Sequence, residues 1–119
     1  MIVYASRTGN VRYIASKLKA ESIGIVEELT VNQPYLLMTY TDGLGDIPRE
    51  VAHFLEHNAN DCKGVVVSGN RNFGHKVFGG AGDKIQSTYH IPLVRKLDLR
   101  GYKADYDAIQ KFYETRVLE

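Results

Sequence analysis

Five stretches of the chain are apolar with little interruption: Ile2 to Ala5, Ile23 to Glu27, Tyr35 to Tyr40, Gly64 to Ser68 and Ile91 to Lys96. Short runs of this kind read as strands buried on both faces. Between them the apolar spacing changes. Val11, Ile14, Ala15 and Leu18 fall at i, i+3, i+4 and i+7, one stripe of a helix. Pro48 suits the first turn of a second helix that carries Val51, Phe54 and Leu55 on one side. A third helix is expected over Gly82 to Tyr89, and a fourth from about Lys103 to the C-terminus with Ile109, Phe112 and Tyr113 inward. The alternation falters once, where only a short connection through Pro34 joins the second and third strand runs.

Strands alternating with helices build a parallel sheet covered on both faces, because each right-handed crossover must lie over the sheet. Five strands in 119 residues fit an α/β three-layer sandwich of flavodoxin-like strand order 2-1-3-4-5, read here as one domain over residues 1–119. Ligands bind such sheets outside the carboxyl ends of the strands, at the switch point between strands 1 and 3. The loops after Ala5, Tyr40, Ser68 and Lys96 are therefore the ones to inspect.

Composition narrows the setting. The single Cys62 has no partner for a disulfide, as is usual in a reducing compartment. No apolar run approaches the roughly 18 residues of a membrane span, and no cleavable leader pattern precedes the first strand, so a cytoplasmic protein is expected. Fifteen Lys and Arg balance fourteen Asp and Glu. With no block of like charge, neither nucleic acid nor a membrane surface is expected as a partner.

The loop Ser6-Arg7-Thr8-Gly9-Asn10 links the first strand to the first helix. Backbone N–H groups and the positive end of a helix make such a turn a place for a phosphate. Ser6 and Thr8 add hydroxyls, Gly9 admits close approach, and Asn10 is expected to cap the helix. An ordinary ligand-free N-cap turn satisfies the same residues. The segment is neither a Walker loop nor G-x-G-x-x-G, which counts against nucleoside triphosphates and dinucleotides. In the second loop, residues 39–48, Gly43 and Gly45 free the backbone to lie against a flat ring. In the third, residues 68–80, Asn70 and Asn72 offer groups for the edge of a heterocycle and Phe73 offers a stacking face. Phosphate, ring face and ring edge together point to flavin mononucleotide (FMN).

The motifs S-R-T-G-N, T-Y-T-D-G-L-G-D-I-P, S-G-N-R-N-F-G, A-G-D-K-I and I-P-L-V-R-K-L-D-L-R-G resemble, in order and spacing, those of the NrdI family of small flavodoxin-like proteins associated with class Ib ribonucleotide reductase. The resemblance implies FMN, held by Ser6, Arg7, Thr8, Gly9, Asn10 and Val11 at its phosphate. It implies Thr41, Asp42, Gly43, Leu44 and Gly45 along one side of the ring, and Asn70, Asn72, Phe73 and Gly74 along the other side and the pyrimidine edge. It further implies that the reduced protein, fed by an electron-donating reductase, reacts with molecular oxygen and supplies an oxidant to the radical-bearing small subunit, whose dimanganese centre then generates a tyrosyl radical. Asp42, Leu44 and Phe73 stand where relatives often carry Thr, Phe and Trp.

Two other functions fit the residues: a general electron-carrying flavodoxin, and a flavin-free receiver-like binding module. Arg7, Arg49, Arg71 and Lys76 lie in or beside the site loops against Asp42 and Asp46. That local excess of positive charge favours a reduced anionic flavin and hence oxidant delivery over carriage; solvated cations that merely dock an acidic partner fit the same residues equally well. No residue reads as the acid, base or nucleophile of a hydrolase. His53 and His57, at i and i+4, lack an evident third metal ligand, and Cys62 lacks the arginine that a phosphatase loop would place six residues on.

Overall fold

The computed structural model describes residues 1–74 and 77–118. Its strands are β1 (Ile2–Tyr4), β2 (Ser22–Gly24), β3 (Tyr35–Tyr40), β4 (Cys62–Gly69) and β5 (Leu93–Asp98). The helices are α1 (Asn10–Ser16), α2 (Arg49–Asn58), α3 (Gly80–Tyr89) and α4 (Lys103–Phe112), the last running on into a wider turn over Tyr113–Val117. All pairings are parallel and the strand order is β2-β1-β3-β4-β5, as expected.

Successive side chains of a strand point to opposite faces, and two cores result. Val3, Tyr35, Leu37, Val65 and Val67 pack with Val51, Phe54 and Leu55 of α2 and Ala81 and Ile85 of α3. Their neighbours Ile2, Leu36, Met38 and Val66 pack with Val11, Ile14 and Ala15 of α1 and with Ile109, Tyr113 and Val117 at the C-terminal end. Each fully buried Leu or Ile among them contributes roughly 1.5–3 kcal/mol. A strand covered on both sides favours apolar residues at nearly every position, which is why the central runs are so apolar; the buried Thr39 in β3 meets the demand by donating its hydroxyl to the Tyr40 carbonyl at 2.9 Å.

The boundaries differ from expectation where a local group intervenes. β5 begins at Leu93, not Ile91, because Pro92 has no N–H and joins the sheet only through its carbonyl, which accepts from Val65 N at 2.9 Å. α1 stops at Ser16, where the N–H groups of Lys17 and Leu18 turn back to the carbonyls of Ile14 and Ala15 at 3.0 and 3.2 Å. Leu18 stays buried all the same.

The faltering between the second and third strands is real. No helix lies between β2 and β3; the chain from Ile25 to Pro34 crosses beside α2 instead. Buried Asn58, the last residue of α2, holds it there. Its Oδ1 accepts from Val31 N at 2.9 Å, its Nδ2 donates to Leu29 O at 3.0 Å, and its carbonyl accepts from the Tyr35 hydroxyl at 2.5 Å. A side-chain amide thus takes over the pairing that a helix would have made within itself.

Candidate functional site

The sheet hands the chain to the first loop at Ala5, whose N–H still donates to Met38 O at 2.9 Å. Beyond it, the backbone N–H groups of Ser6 through Val11 find no protein acceptor among the described residues. Gly9 makes the turn, with φ +93° immediately ahead of α1. An added Cβ would meet no atom within 4 Å there, so it is the backbone angle and not space that calls for glycine. Asn10 does not cap α1 as expected. It lies inside the helix and its Oδ1 accepts from Arg100 Nε at 3.2 Å, while the hydroxyl of Ser6 takes the Arg12 N–H at 3.3 Å. Val11 is buried, so only its main chain faces this loop. With α1 just seven residues long, the loop's capacity for an anion rests on its free N–H groups more than on any helix dipole.

The second loop is closed at its base. Asp42 N donates to Asp46 O at 2.9 Å and Asp46 N to Asp42 O at 2.7 Å, which pinches residues 43–45 into a tip. Gly45, φ +103°, is buried and faces Gly80 at the start of α3. A Cβ on Gly80 would stand 2.8 Å from the Gly45 Cα, so main chain packs on main chain here. Leu44 at the tip is 80% exposed. Thr41 N donates to Ser68 O at 3.1 Å, yet the Thr41 Oγ1 is buried without a hydrogen-bond partner. Such a group costs about 1–3 kcal/mol.

In the third loop the Asn70 side chain is partly spent on local order: its Oδ1 accepts from Asn72 N at 2.9 Å and starts a tight turn over Arg71–Phe73. Phe73 stands 65% exposed. His75 and Lys76 lie outside the described residues. The loop after β5 closes the same end of the sheet, with the Ser68 hydroxyl donating to Leu99 O at 2.5 Å and Leu99 N to Gly69 O at 2.7 Å.

These loops enclose a cavity of about 550 Å³. Ser6, Arg7, Thr8, Asn10, Val11, Thr41, Asp42, Gly43, Asn70 and Phe73 line it. Gly9, Leu44, Gly45, Asn72 and Gly74 do not; they shape the loops behind or above the wall. Tyr40, Ser68, Gly69, Val77 and Leu99 also line it without having been anticipated. The first three sit at or next to the carboxyl ends of β3 and β4, which was the available signal. Leu99 gave none, since a leucine at φ +56° does not advertise a turn.

The two acidic side chains of the second loop are each paired. Arg7 Nη1 lies 2.8 Å from Asp42 Oδ1, and Lys84 holds Asp46. Arg49 lines a different cavity, and the Arg71 guanidinium lies 5.3 Å from the Phe78 ring centre. Both carboxylates of the site loops are thus neutralised, one of them by Lys84, a cation that the count along the sequence did not include. Hydrogen bonds from Arg7 and from Gly43 N–H hold the Asp42 carboxyl below its ordinary range. Burial pushes the Tyr40 hydroxyl up to about 12, with its bond to Glu50 adding to the effect.

The sequence model of the family described as NrdI Flavodoxin like matches residues 2–111. The chain belongs to the NrdI flavodoxin-like family. Protein NrdI of Macrococcus caseolyticus is 41% identical over 106 residues, covering 88% of this chain and 81% of that protein. The SPbeta prophage-derived protein NrdI of Bacillus subtilis is 38% identical over 112 residues, covering 91% and 86%. Among solved structures, a short-chain flavodoxin associated with a non-canonical PDU bacterial microcompartment aligns with TM-score 0.71 at 21% identity, over 98% of this chain and 95% of that one. Oxidised flavodoxin 2 from Bacillus cereus aligns with TM-score 0.61 at 19% identity, over 93% and 92%. Those two likenesses concern the fold alone. The described residues include no helix long and apolar enough to cross a membrane.

Proposed function

We propose that this chain binds FMN in the loop cavity and, in reduced form, supplies the oxidant that activates the dimanganese-tyrosyl radical centre in the small subunit of class Ib ribonucleotide reductase. What carries the reading is a row of unpaired backbone N–H groups from Ser6 to Val11 on one wall and the orphaned Thr41 hydroxyl on another. A phosphate takes the first and a polar ring atom the second, so the donors present fit a flavin that carries a phosphate. FMN would bring two-electron reduction and reactivity toward molecular oxygen, with electrons supplied by a partner reductase.

The chain's own residues do the rest. Ser6, Arg7, Thr8, Gly9, Asn10 and Val11 form the phosphate side. Thr41, Asp42, Gly43, Leu44 and Gly45 form one ring side, and Asn70, Asn72, Phe73 and Gly74 the other. Gly45 against Gly80 and the Asp42–Asp46 bridge keep the second loop from folding into the cavity. Half-exposed Phe73 and exposed Leu44 leave an open rim through which oxygen enters and where a partner docks.

Reconstitution tests this in two stages. Excess FMN added to purified protein is expected to give a stoichiometric yellow complex with quenched fluorescence. Photoreduced protein, oxygen and manganese-loaded small subunit are then mixed and tyrosyl radical is sought by electron paramagnetic resonance. Radical that forms only with this protein present supports activation; flavin binding without radical leaves an electron carrier, and a protein that stays colourless leaves a flavin-free binding module.

A further inference from the structure

Arg7 sits in the loop assigned to phosphate, yet its side chain is directed elsewhere. Its Nη1 bonds Asp42 Oδ1 at 2.8 Å across 35 residues of sequence, and its guanidinium carbon lies 4.7 Å from the centre of the Tyr40 ring. The same Asp42 oxygen accepts from Gly43 N–H at 3.0 Å, and the Tyr40 hydroxyl donates to Glu50 Oε1 at 2.6 Å. The guanidinium is thus committed on one edge and one face. For Arg7 to turn to a phosphate it would have to leave an ionised carboxylate bare beside the cavity, while the loop already offers unpaired main-chain N–H groups to the anion.

We infer that Arg7 is not a phosphate ligand but a strap: paired with Asp42 and stacked on Tyr40, it fixes the spacing between the phosphate loop and the ring loop. Within the flavin reading above, on which this rests, Arg7 and Asp42 are positioning residues. Each acts through the other, and both ends of the ligand depend on them equally.

The pair predicts a pattern that a phosphate ligand would not produce. FMN and riboflavin, which differ by the phosphate, are titrated by fluorescence quenching into wild type, Arg7→Gln, Asp42→Asn and the double variant; both side chains at issue are half exposed, so folding is retained. Each single substitution is expected to weaken both ligands by the same factor, about threefold for a solvent-accessible pair. The double variant is expected to bind no worse than either single one. An Arg7→Gln loss confined to FMN, or losses that multiply in the double variant, would overturn the strap.

A second arm needs no flavin. The Asp42 carboxyl faces Arg7, the Gly43 N–H and Tyr40, and Arg7 in turn faces Tyr40 and Glu50; the Asp42 titration is followed by carbon-13 NMR in the ligand-free protein with and without inorganic phosphate. Its midpoint is expected to lie below the ordinary carboxylate range, to rise toward it in Arg7→Gln with the Gly43 N–H retaining part of the shift, and to ignore phosphate. An upward movement on adding phosphate, or no response to Arg7→Gln, refutes the pairing. Should wild type bind neither ligand, the flavin reading falls and this arm still decides the strap.

Discussion

Among the described residues, two cavities have nearly the same volume, about 550 Å³ at the switch point and about 560 Å³ between α2 and the helix-free connection. Size does not tell them apart, nor do open main-chain N–H groups, which Val26, Glu27 and Glu28 also leave in the second; a buried hydroxyl without a partner does. In the second cavity the amide of Asn58 is fully occupied, Glu50 holds the Tyr40 hydroxyl, and the His53 and His57 rings face each other edge to face at 6.2 Å. In the first, a run of N–H groups and a buried hydroxyl remain without partners. A hollow becomes a recognition site when its wall leaves hydrogen bonds unmade and the ligand makes them.

The comparison can be broken with substitutions on either side. The largest effect is expected from Asn58→Leu, which strands the Val31 N–H and the Leu29 carbonyl and should lower unfolding free energy by about 3 kcal/mol in denaturant titrations. Its flavin affinity, measured well below the transition, should stay within about twofold of wild type. A large loss of affinity would mean that the two cavities are not independent. Gly80→Ala comes next. Its methyl would press on the Gly45 main chain, costing about 2 kcal/mol of stability and displacing the ring loop, so that flavin affinity falls as well.

Thr41→Val sharpens the contrast most, because its two effects have opposite signs. Removing the orphaned hydroxyl at constant shape should stabilise the ligand-free protein by about 1 kcal/mol and weaken FMN binding roughly fivefold. Thermal unfolding and flavin titration of the same variant check both signs. The smallest effect belongs to Cys62, near neither cavity. Burial pushes its thiol up to about 11 from an ordinary 9.0, so at pH 8 a thiol reagent should react negligibly with the folded protein. The unfolded chain loses that proton first, so the stability contribution is complete below about pH 9 and is lost as pH rises toward 11. Comparing the alkaline limb of wild type with that of Cys62→Ala isolates it.

Much of the fold was legible because burial on both faces leaves an unmistakable mark. β3 runs from Tyr35 to Tyr40 as read, since all of its residues but Thr39 pack into one or other of the two cores. Strand ends were less legible, because they depend on single groups such as the missing N–H of Pro92. At the site, small and polar residues after strand ends located the three loops and most of the wall. What escaped was partnership. Nothing near Asp46 in sequence announces Lys84, and nothing near Asn10 announces Arg100; charge read along a chain says little about charge arranged in space. Asn10 looked like a cap because its type is right for one, but the turn had already been made by Gly9.

The contact of Gly45 on Gly80 has a mechanical side. With no side chain between them to act as a cushion, the tip of the second loop and the head of α3 form one stiff piece, anchored below by Gly82 wedged against Val67 and Leu93. A push of that tip toward α3 therefore meets main chain with nothing soft to yield, and the load passes to the middle of the protein.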